Sequence, residues 1–144
     1  MKVFLDTNVL VAASEQNHPH HGPAFRALSR VVNRADRGFI SLHSVAETYA
    51  ALTRLPVRPR IQPAEAARML TESILPHFQA VPISRKDYLD ALKTVVDRGL
   101  SGAKIYDALI VGCAARSGAE RIYTFNLSDF RDLAPNLADR ISAP

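Results

Sequence analysis

The sequence has a single cysteine, no tryptophan and only 7% aromatic residues. With Cys113 alone, the chain cannot form an internal disulfide and has too few thiolates for a cysteine-based zinc site. No apolar run approaches the ~20 residues that span a bilayer, and the N-terminus lacks the basic start and unbroken apolar core of a signal peptide. We therefore expect a cytoplasmic protein that does not enter a membrane.

Length and composition are typical of one globular domain. Hydrophobic residues make up 47% of the sequence and charged residues 22%, which argues against an intrinsically disordered chain. A chain of 144 residues is long enough to bury roughly two-thirds of its unfolded surface in a single core. We therefore expect one domain that spans residues 1–144.

The charge balance is positive. The formal net charge is +4 at pH 7, and arginine supplies most of the basic side chains. Because the planar guanidinium group forms paired hydrogen bonds with phosphate and carboxylate groups, this balance favours a nucleic acid or an acidic protein as the partner.

Strand-like and helix-like apolar patterns alternate along the chain. Short apolar runs predict strands over residues 3–5, 39–40, 78–83, 121–125 and around 140–141. Helical spacing predicts helices over residues 24–35, from Ser44 as N-cap to the prolines at 56–63, over 64–75, from Ser84 as N-cap to 99, over 105–115 and near 129. This alternation predicts an α/β fold with a central, largely parallel sheet flanked by helices.

Asp6 is a charged residue inside an apolar segment. It directly follows the strand predicted at residues 3–5. Unpaired burial of a carboxylate costs several kcal/mol, so Asp6 must lie at an edge, accept hydrogen bonds or hold a cation. Sites in parallel sheets gather at the carboxyl ends of the strands. Because Asn126 and Asp129 also follow a predicted strand, we expect them to share a site with Asp6.

Two further acids stand on predicted helices. Asp107 is the only charged residue of the segment IYDALIVGCAA and lies in the first turn of its helix. Glu47 is predicted to lie opposite a core-facing stripe of Val45, Tyr49 and Leu52. Taken singly, helix-dipole stabilisation explains Asp107 and solvent exposure explains Glu47. Only the combination of the acids favours a functional site.

Four features recur in a fixed order along the chain. They are FLDTN at residues 4–8, the glutamate of SVAETYAAL, the aspartate of YDALIVGCAA and TFNLSDF at residues 124–130. This order and spacing resemble the PIN-domain nuclease family, and in particular its VapC-type toxins. The resemblance implies a PIN-like three-layer fold. It also implies a metal-dependent endoribonuclease that hydrolyses RNA phosphodiester bonds as the toxin of a VapBC-type toxin-antitoxin pair.

The resemblance also implies roles for individual residues. It puts Asp6, Glu47 and Asp107 in an acidic catalytic cluster, with Asp6 and Asp107 as direct ligands of Mg²⁺ or Mn²⁺. Asp129 is the candidate for the fourth acid, because Asn126 is neutral at a position where the family varies between Asn and Asp. The residues expected to support the cluster are Thr7, Asn8, Thr124 and Asn126. Independently, a hard divalent cation prefers oxygen ligands and relieves repulsion between carboxylates.

The expected partners are an RNA substrate, a cognate antitoxin protein and a second copy of the chain. An acidic centre repels RNA, so a nuclease of this kind needs basic surface near it. The candidates for RNA contact are Arg54, Arg58 and Arg60, in a loop whose freedom is limited by prolines. The antitoxin and the homodimer are implied by the resemblance alone.

Two other interpretations stay open. One is a catalytically weak PIN-like module that binds RNA or protein, which the neutral residue of the late motif allows. The other is an aspartyl-phosphate hydrolase with Asp6 as nucleophile, although such enzymes usually have a second acid where this chain has Asn8. Because no acids accompany them at ligand spacing, His18, His20 and His21 are expected on the surface of a loop.

Overall fold

The computed structural model describes all 144 residues and contains one five-stranded sheet. The strands are β1 (Lys2–Leu5), β2 (Arg37–Ser41), β3 (Phe78–Val81), β4 (Arg121–Tyr123) and β5 (Ile141–Ser142). They lie in the order β3-β2-β1-β4-β5, and every neighbouring pair is parallel. The predicted α/β fold with a central parallel sheet is confirmed.

Helices connect the strands and cover both faces of the sheet. They are α1 (Thr7–Ser14), α2 (His21–Val32), α3 (Leu42–Arg54), α4 (Pro63–Arg68), α5 (Arg85–Asp97), α6 (Lys104–Ser117) and α7 (Leu127–Leu133). Helix α4 continues as a wider π-helical turn over Met69–Ile74, and a 3₁₀ turn spans Pro135–Arg140. None of these helices has the length and apolar character needed to cross a membrane.

The central strand β1 has apolar packing on both faces. Strands β2 and β4 pair with the two edges of β1, and packing on both faces leaves Val3, Phe4 and Leu5 with no exposed surface. Successive side chains point to opposite faces of a strand. Phe4 therefore packs in a cluster with α5 and α6, whereas Val3 and Leu5 pack in a second cluster with α1 and α2. This buried strand fixes the position of the next residue, Asp6.

Helix α3 begins earlier than the sequence pattern predicted. Strand β2 runs directly into it, and the N-cap is Ser41, whose hydroxyl accepts a hydrogen bond from the His43 backbone N at 3.2 Å. The predicted N-cap, Ser44, is a fully buried residue inside the first turn. The prediction placed the start of the helix three residues too far along the chain, because it assumed a loop after β2. The structure has no loop there.

The buried face of α3 also differs from the predicted stripe. It consists of Ser44, Thr48 and Leu52, whereas Val45 is only partly buried and Tyr49 is exposed. The prediction followed the bulkiest side chains, but this helix packs on α1 through small residues. As a result, the predicted stripe is correct only at Leu52, and residue 47 lies beside the buried face instead of opposite it.

Helix α2 spans His21–Val32 and ends before the predicted limit at residue 35. Phe25 is 50% exposed, and the packed face consists of Ala24, Ala27 and Val31. At the end of the helix, the Arg30 guanidinium lies 2.6 Å from the Asp36 carboxylate, so this arginine belongs to an ion pair.

Two strands are shorter than predicted. Strand β3 ends at Val81, because Pro82 has no backbone N–H to continue the ladder. Strand β4 ends at Tyr123, and the following residues turn toward α7. Helix α5 begins as predicted at Ser84, which forms a capping box with Asp87.

Candidate active site

Asp6 directly follows strand β1 and caps helix α1. Its Oδ1 accepts a hydrogen bond from the Thr7 backbone N at 2.7 Å, and its Oδ2 accepts one from the Thr124 hydroxyl at 2.7 Å. Burial raises the pKa of Asp6 to about 7, and the charges of Asp107 and Glu47 add to this rise against the lowering effect of the two hydrogen bonds. A carboxyl in these surroundings holds a proton or a cation near neutral pH.

The Thr124 hydroxyl is the centre of the network beneath Asp6. Besides donating to Asp6, it accepts a hydrogen bond from the Asn126 backbone N at 2.9 Å and one from Asn8 Nδ2 at 3.3 Å. Asn8 Oδ1 in turn accepts from the Phe125 backbone N at 3.2 Å. These contacts tie the end of β4 to the start of α1, so the Asp6 carboxylate is held in one orientation.

Glu47 reaches the same region from helix α3. The Thr7 hydroxyl lies 3.2 Å from Glu47 Oε1 and 2.9 Å from the Ser44 hydroxyl. Thr7 can donate to Glu47 while it accepts from Ser44. The placement of residue 47 beside the buried face of α3 makes this contact with α1 possible. Glu47 is also 3.8 Å from His43 Nε2, one helical turn earlier.

Asp107 stands in the first turn of helix α6. Asn126 Nδ2 donates a hydrogen bond to its Oδ2 at 3.3 Å. The pKa of Asp107 is raised, first by burial and then by the charge of Asp129, with Glu47 adding to the rise and Lys104 opposing it. Neither lysine nor arginine forms an ion pair with this carboxylate.

Asp129 differs from the other three acids because it has a cationic partner. The Lys104 ammonium forms an ion pair with its carboxylate. Donation from Lys104, and then from Asn126, lowers the pKa of Asp129. Asp129 is therefore ionised, and the charge of Lys104 balances its negative charge.

Two adjoining hollows at the carboxyl edge of the sheet contain all four acids. The first is lined in part by Asp6, Asn8, His18, Glu47 and Asp107, and the second in part by Glu47, Lys104, Tyr106, Asp107, Asn126 and Asp129. Glu47 and Asp107 line both hollows and thus stand where they meet. Asp6 lies in the first and Asp129 in the second. We refer to the two hollows together as the acidic cleft.

The predicted RNA-contact arginines lie outside the acidic cleft. Arg54 is exposed at the end of α3. Arg58 and Arg60 line another hollow, which they share with the segment between α1 and α2. RNA would have to extend from the cleft over the end of α3 to touch them.

The donor set of the cleft fits a hard divalent cation. No group of three or more His, Cys, Asp or Glu side chains stands close enough to enclose a metal ion. Mg²⁺ does not need such a cage, since it usually keeps several waters and binds one or two carboxylates plus a substrate phosphate. Asp6 and Asp107 have raised pKa values and no lysine or arginine partner, so they are the carboxylates of the cleft that suit this mode of binding.

Several residues in or beside the cleft were not recognised from the sequence. Lys104 precedes Asp107 by three residues, and His43 precedes Glu47 by four, so helical spacing alone places each on the same face as an acid. His18 was expected on the surface, yet it lines the hollow that holds Asp6. His20, from the same loop, stacks on Phe125 with ring centroids 4.4 Å apart.

The fold and the acidic cleft define the class of protein. A model of the PIN domain matches residues 3–135, so the chain belongs to the PIN-domain family, as its sequence motifs indicated. Among curated relatives, Ribonuclease VapC40 of Mycobacterium tuberculosis is 32% identical over 122 residues, which cover 85% of this chain and 84% of the relative. The predicted resemblance to VapC-type ribonucleases is confirmed.

Solved structures agree on the fold. The Sarcin-Ricin loop cleaving toxin VapC20 of Mycobacterium tuberculosis superposes with a TM-score of 0.68 at 22% identity, covering 89% of this chain and 92% of its own. VapBC2 from Rickettsia felis, solved bound to a DNA fragment from its promoter, gives 0.66 at 21% identity and covers 99% of this chain and 98% of its own. At these identities the two structures support the architecture, and the site rests on the residues of this chain.

Proposed function

We propose that this protein is a metal-dependent endoribonuclease that hydrolyses RNA phosphodiester bonds and acts as the toxin of a VapBC-type pair. One observation carries the proposal. Asp6, Glu47 and Asp107 come from three separate elements and meet in one cleft, without a lysine or arginine ion-paired to any of them. Such an arrangement is unfavourable for a folded protein unless a cation joins it.

The proposed roles follow from the contacts of each acid. Asp6 and Asp107 hold the cation, which is Mg²⁺ or Mn²⁺. When bound, the cation neutralises a phosphate oxygen and lowers the pKa of a water molecule. Glu47 is the acid best placed to orient the attacking water and receive its proton, since it lies where the two hollows meet. Asp129 is less suited to that role, because Lys104 already occupies its carboxylate.

The supporting residues have their own proposed tasks. Thr124 and Asn8 hold Asp6 at the end of β1, and Thr7 links Asp6 to Glu47. Asn126 donates to Asp107, so a neutral side chain performs the orienting task at the position that varies between Asn and Asp in the family. The fourth acid is then Asp129, held one helical turn further on by Lys104.

RNA cleavage with and without a divalent cation tests the proposal. The purified protein should cut structured RNA in Mg²⁺ or Mn²⁺ and stop when EDTA is added, since the phosphate-binding cation is removed. Asp107→Asn should remove cleavage in the same assay, and Asp97→Asn on the exposed face of α5 serves as a matched control. A protein that binds RNA but leaves it intact with either cation would instead be the catalytically weak binding module.

The proposed protein partners are an antitoxin and a second copy of the chain. An antitoxin that covers the cleft would meet three carboxylates that have no lysine or arginine partner, which favour an inserted basic side chain. For the homodimer, helix α5 exposes Leu89, Leu92 and Val96 at 51%, 51% and 73%, along one face. Two ion pairs flank this face, Lys86 with Asp90 and Lys93 with Asp97, so charges of both signs border it. Mixed charges of this kind allow the face to pack against itself.

Light scattering after size exclusion tests the α5 dimer. Leu92→Lys should convert a dimer into a monomer, because it places a charge in the middle of the apolar face. Phe25→Lys, at a side chain of 50% exposure on α2, should leave the dimer mass unchanged. A dimer that survives Leu92→Lys would place the interface elsewhere.

A further inference from the structure

Two aromatic rings are stacked beside the acidic cleft. The His43 ring on α3 and the Tyr106 ring on α6 are nearly parallel, with an angle of 7° between their planes and 5.6 Å between their centroids. Tyr106 is 46% exposed, and neither ring belongs to the buried core clusters. We call this pair the aromatic shelf. Its rings are held parallel by two helices, yet they contribute no core packing that would explain the arrangement.

The aromatic shelf adjoins the groups assigned to catalysis. Tyr106 precedes Asp107 in α6 and lines the same hollow as Glu47 and Asp107. His43 Nε2 is 3.8 Å from Glu47 Oε1. A phosphate bound at Asp107 therefore carries its nucleoside close to the shelf, whereas the arginine candidates lie outside this cleft.

We propose that the His43–Tyr106 pair binds an unpaired nucleobase next to the scissile phosphate by stacking. The inference rests on the proposed function, because it needs RNA at the cleft, and it adds the residues that contact the base. A base within a duplex has both faces covered by its neighbours, so only a nucleotide of a loop, bulge or single-stranded end can stack on a side chain. Stacking on an aromatic ring is tolerant of sequence, so the shelf selects unpaired structure and not one base.

RNA binding by Tyr106 variants tests the shelf. The probes are fluorescein-labelled RNA hairpins whose loops contain each of the four bases, together with a hairpin whose loop nucleotides are abasic. Binding is measured by fluorescence anisotropy with Ca²⁺ in place of Mg²⁺. Tyr106→Leu should weaken binding of the intact loops about tenfold, within the roughly 5- to 150-fold range expected for one stacked base. Tyr106→Phe keeps the ring and should bind within about twofold of the unaltered protein.

Two comparisons separate stacking from a structural effect. Tyr49→Leu removes a 38% exposed tyrosine of α3 that lines neither hollow, and it should bind as the unaltered protein does. On the abasic hairpin, Tyr106→Leu and the unaltered protein should bind equally weakly, since no base is there to stack.

Three results would contradict base stacking on the aromatic shelf. They are equal binding by Tyr106→Leu and Tyr49→Leu, an equal loss on intact and abasic loops, and a loss in Tyr106→Phe as large as in Tyr106→Leu. The second of these would mean that Tyr106 contacts something other than a base. Cleavage in Mg²⁺ is scored separately. A protein that binds the loops through Tyr106 but cuts none of them keeps the shelf and contradicts the nuclease function.

Discussion

Asp6→Asn is expected to abolish RNA cleavage and, in the same protein, to remove the contribution of Asp6 to the pH dependence of folding stability. The loss of cleavage should exceed about a hundredfold, because even the partners that merely support a metal ligand are worth 10- to 100-fold. The variant keeps the shape of the side chain and an oxygen for the Thr7 backbone N–H. The two effects are measured by RNA cleavage in Mg²⁺ and by urea unfolding in EDTA.

The stability effect follows from the pKa of Asp6. Burial raises this pKa to about 7 from an ordinary 3.8, so the folded state binds the proton more tightly than the unfolded state does. Stability of the metal-free protein is therefore highest at low pH in this respect and falls as the pH rises from about 4 to about 7. At roughly 1.4 kcal/mol per pKa unit, the loss between pH 5 and pH 8 is about 3 kcal/mol. An asparagine at position 6 does not titrate and avoids it.

Asp36→Asn is a control with the opposite sign. The hydrogen bond from Arg30, with further help from the N-terminal ammonium, lowers the pKa of Asp36. Its contribution is present above the ordinary pKa and is lost as the pH falls through the lowered value. This variant should therefore be less stable than the unaltered protein at pH 8 and approach it in acid. If Asp6→Asn and the unaltered protein lose stability equally between pH 5 and pH 8, the pKa of Asp6 is not raised by its burial.

A divalent cation should offset the free-energy cost of ionising the buried Asp6 carboxyl. Mg²⁺ binds the ionised carboxylate of the folded state, so saturating Mg²⁺ raises the stability of the unaltered protein by mass action. The increase should be larger at pH 8 than at pH 5, and small in Asp6→Asn at either pH. The acid that makes the metal-free fold less stable is thus the group that the cation needs.

The sequence was sufficient to predict where the acids meet, because parallel strands place their carboxyl ends on one edge. Asp6 directly follows a strand of apolar residues that could only be central, and Asn126 follows another. Asp107 was identified because a lone charge in an apolar helix stands out. These three positions depend on strand order and on burial, both of which leave strong patterns in a sequence.

The sequence was insufficient wherever the rotation of a helix decided the outcome. The helical pattern alone placed Glu47 opposite the core because bulky Tyr49 was taken as core, and only the family resemblance put Glu47 in the acidic cluster. In the structure, α3 packs on α1 through Ser44 and Thr48. Small residues allow close approach of two helices and leave no hydrophobic stripe to detect. The predicted buried face of α3 is rotated by about one residue from the observed face. That rotation decides whether Glu47 points into solvent or forms a hydrogen bond with Thr7.

Ion pairs between side chains of different helices could not be predicted from the sequence either. Lys104 was not considered as the partner of Asp129, although the two form the one lysine or arginine ion pair among the residues that line the acidic cleft. Their contact depends on how α6 and α7 dock, which no local pattern encodes. It leaves Asp129 as the fourth acid, but a carboxylate neutralised by Lys104 is a weaker candidate for a metal ligand than Asp6 or Asp107.

Thr124→Val is expected to lower RNA cleavage by about 10- to 100-fold, as for other partners that orient a metal ligand. Valine has nearly the same shape as threonine but no hydroxyl. Asp6 Oδ2 then loses its buried donor, and the Asn126 backbone N and Asn8 Nδ2 lose their acceptor. Leaving buried polar groups without partners should also lower the free energy of unfolding by about 1 to 3 kcal/mol. Thr124→Ser keeps the hydroxyl and serves as the matched variant.

The pH profile of Thr124→Val distinguishes a role in tuning Asp6 from a general loss of structure. Donation from Thr124 lowers the pKa of Asp6, so its removal raises that pKa further above 7. Asp6 then ionises and takes the cation only at higher pH. The acid limb of the cleavage profile should move to higher pH, and added Mg²⁺ should restore part of the activity, while Thr124→Ser keeps the parent profile. A loss that is the same at every pH and Mg²⁺ concentration would mean that Thr124 supports the fold without tuning Asp6.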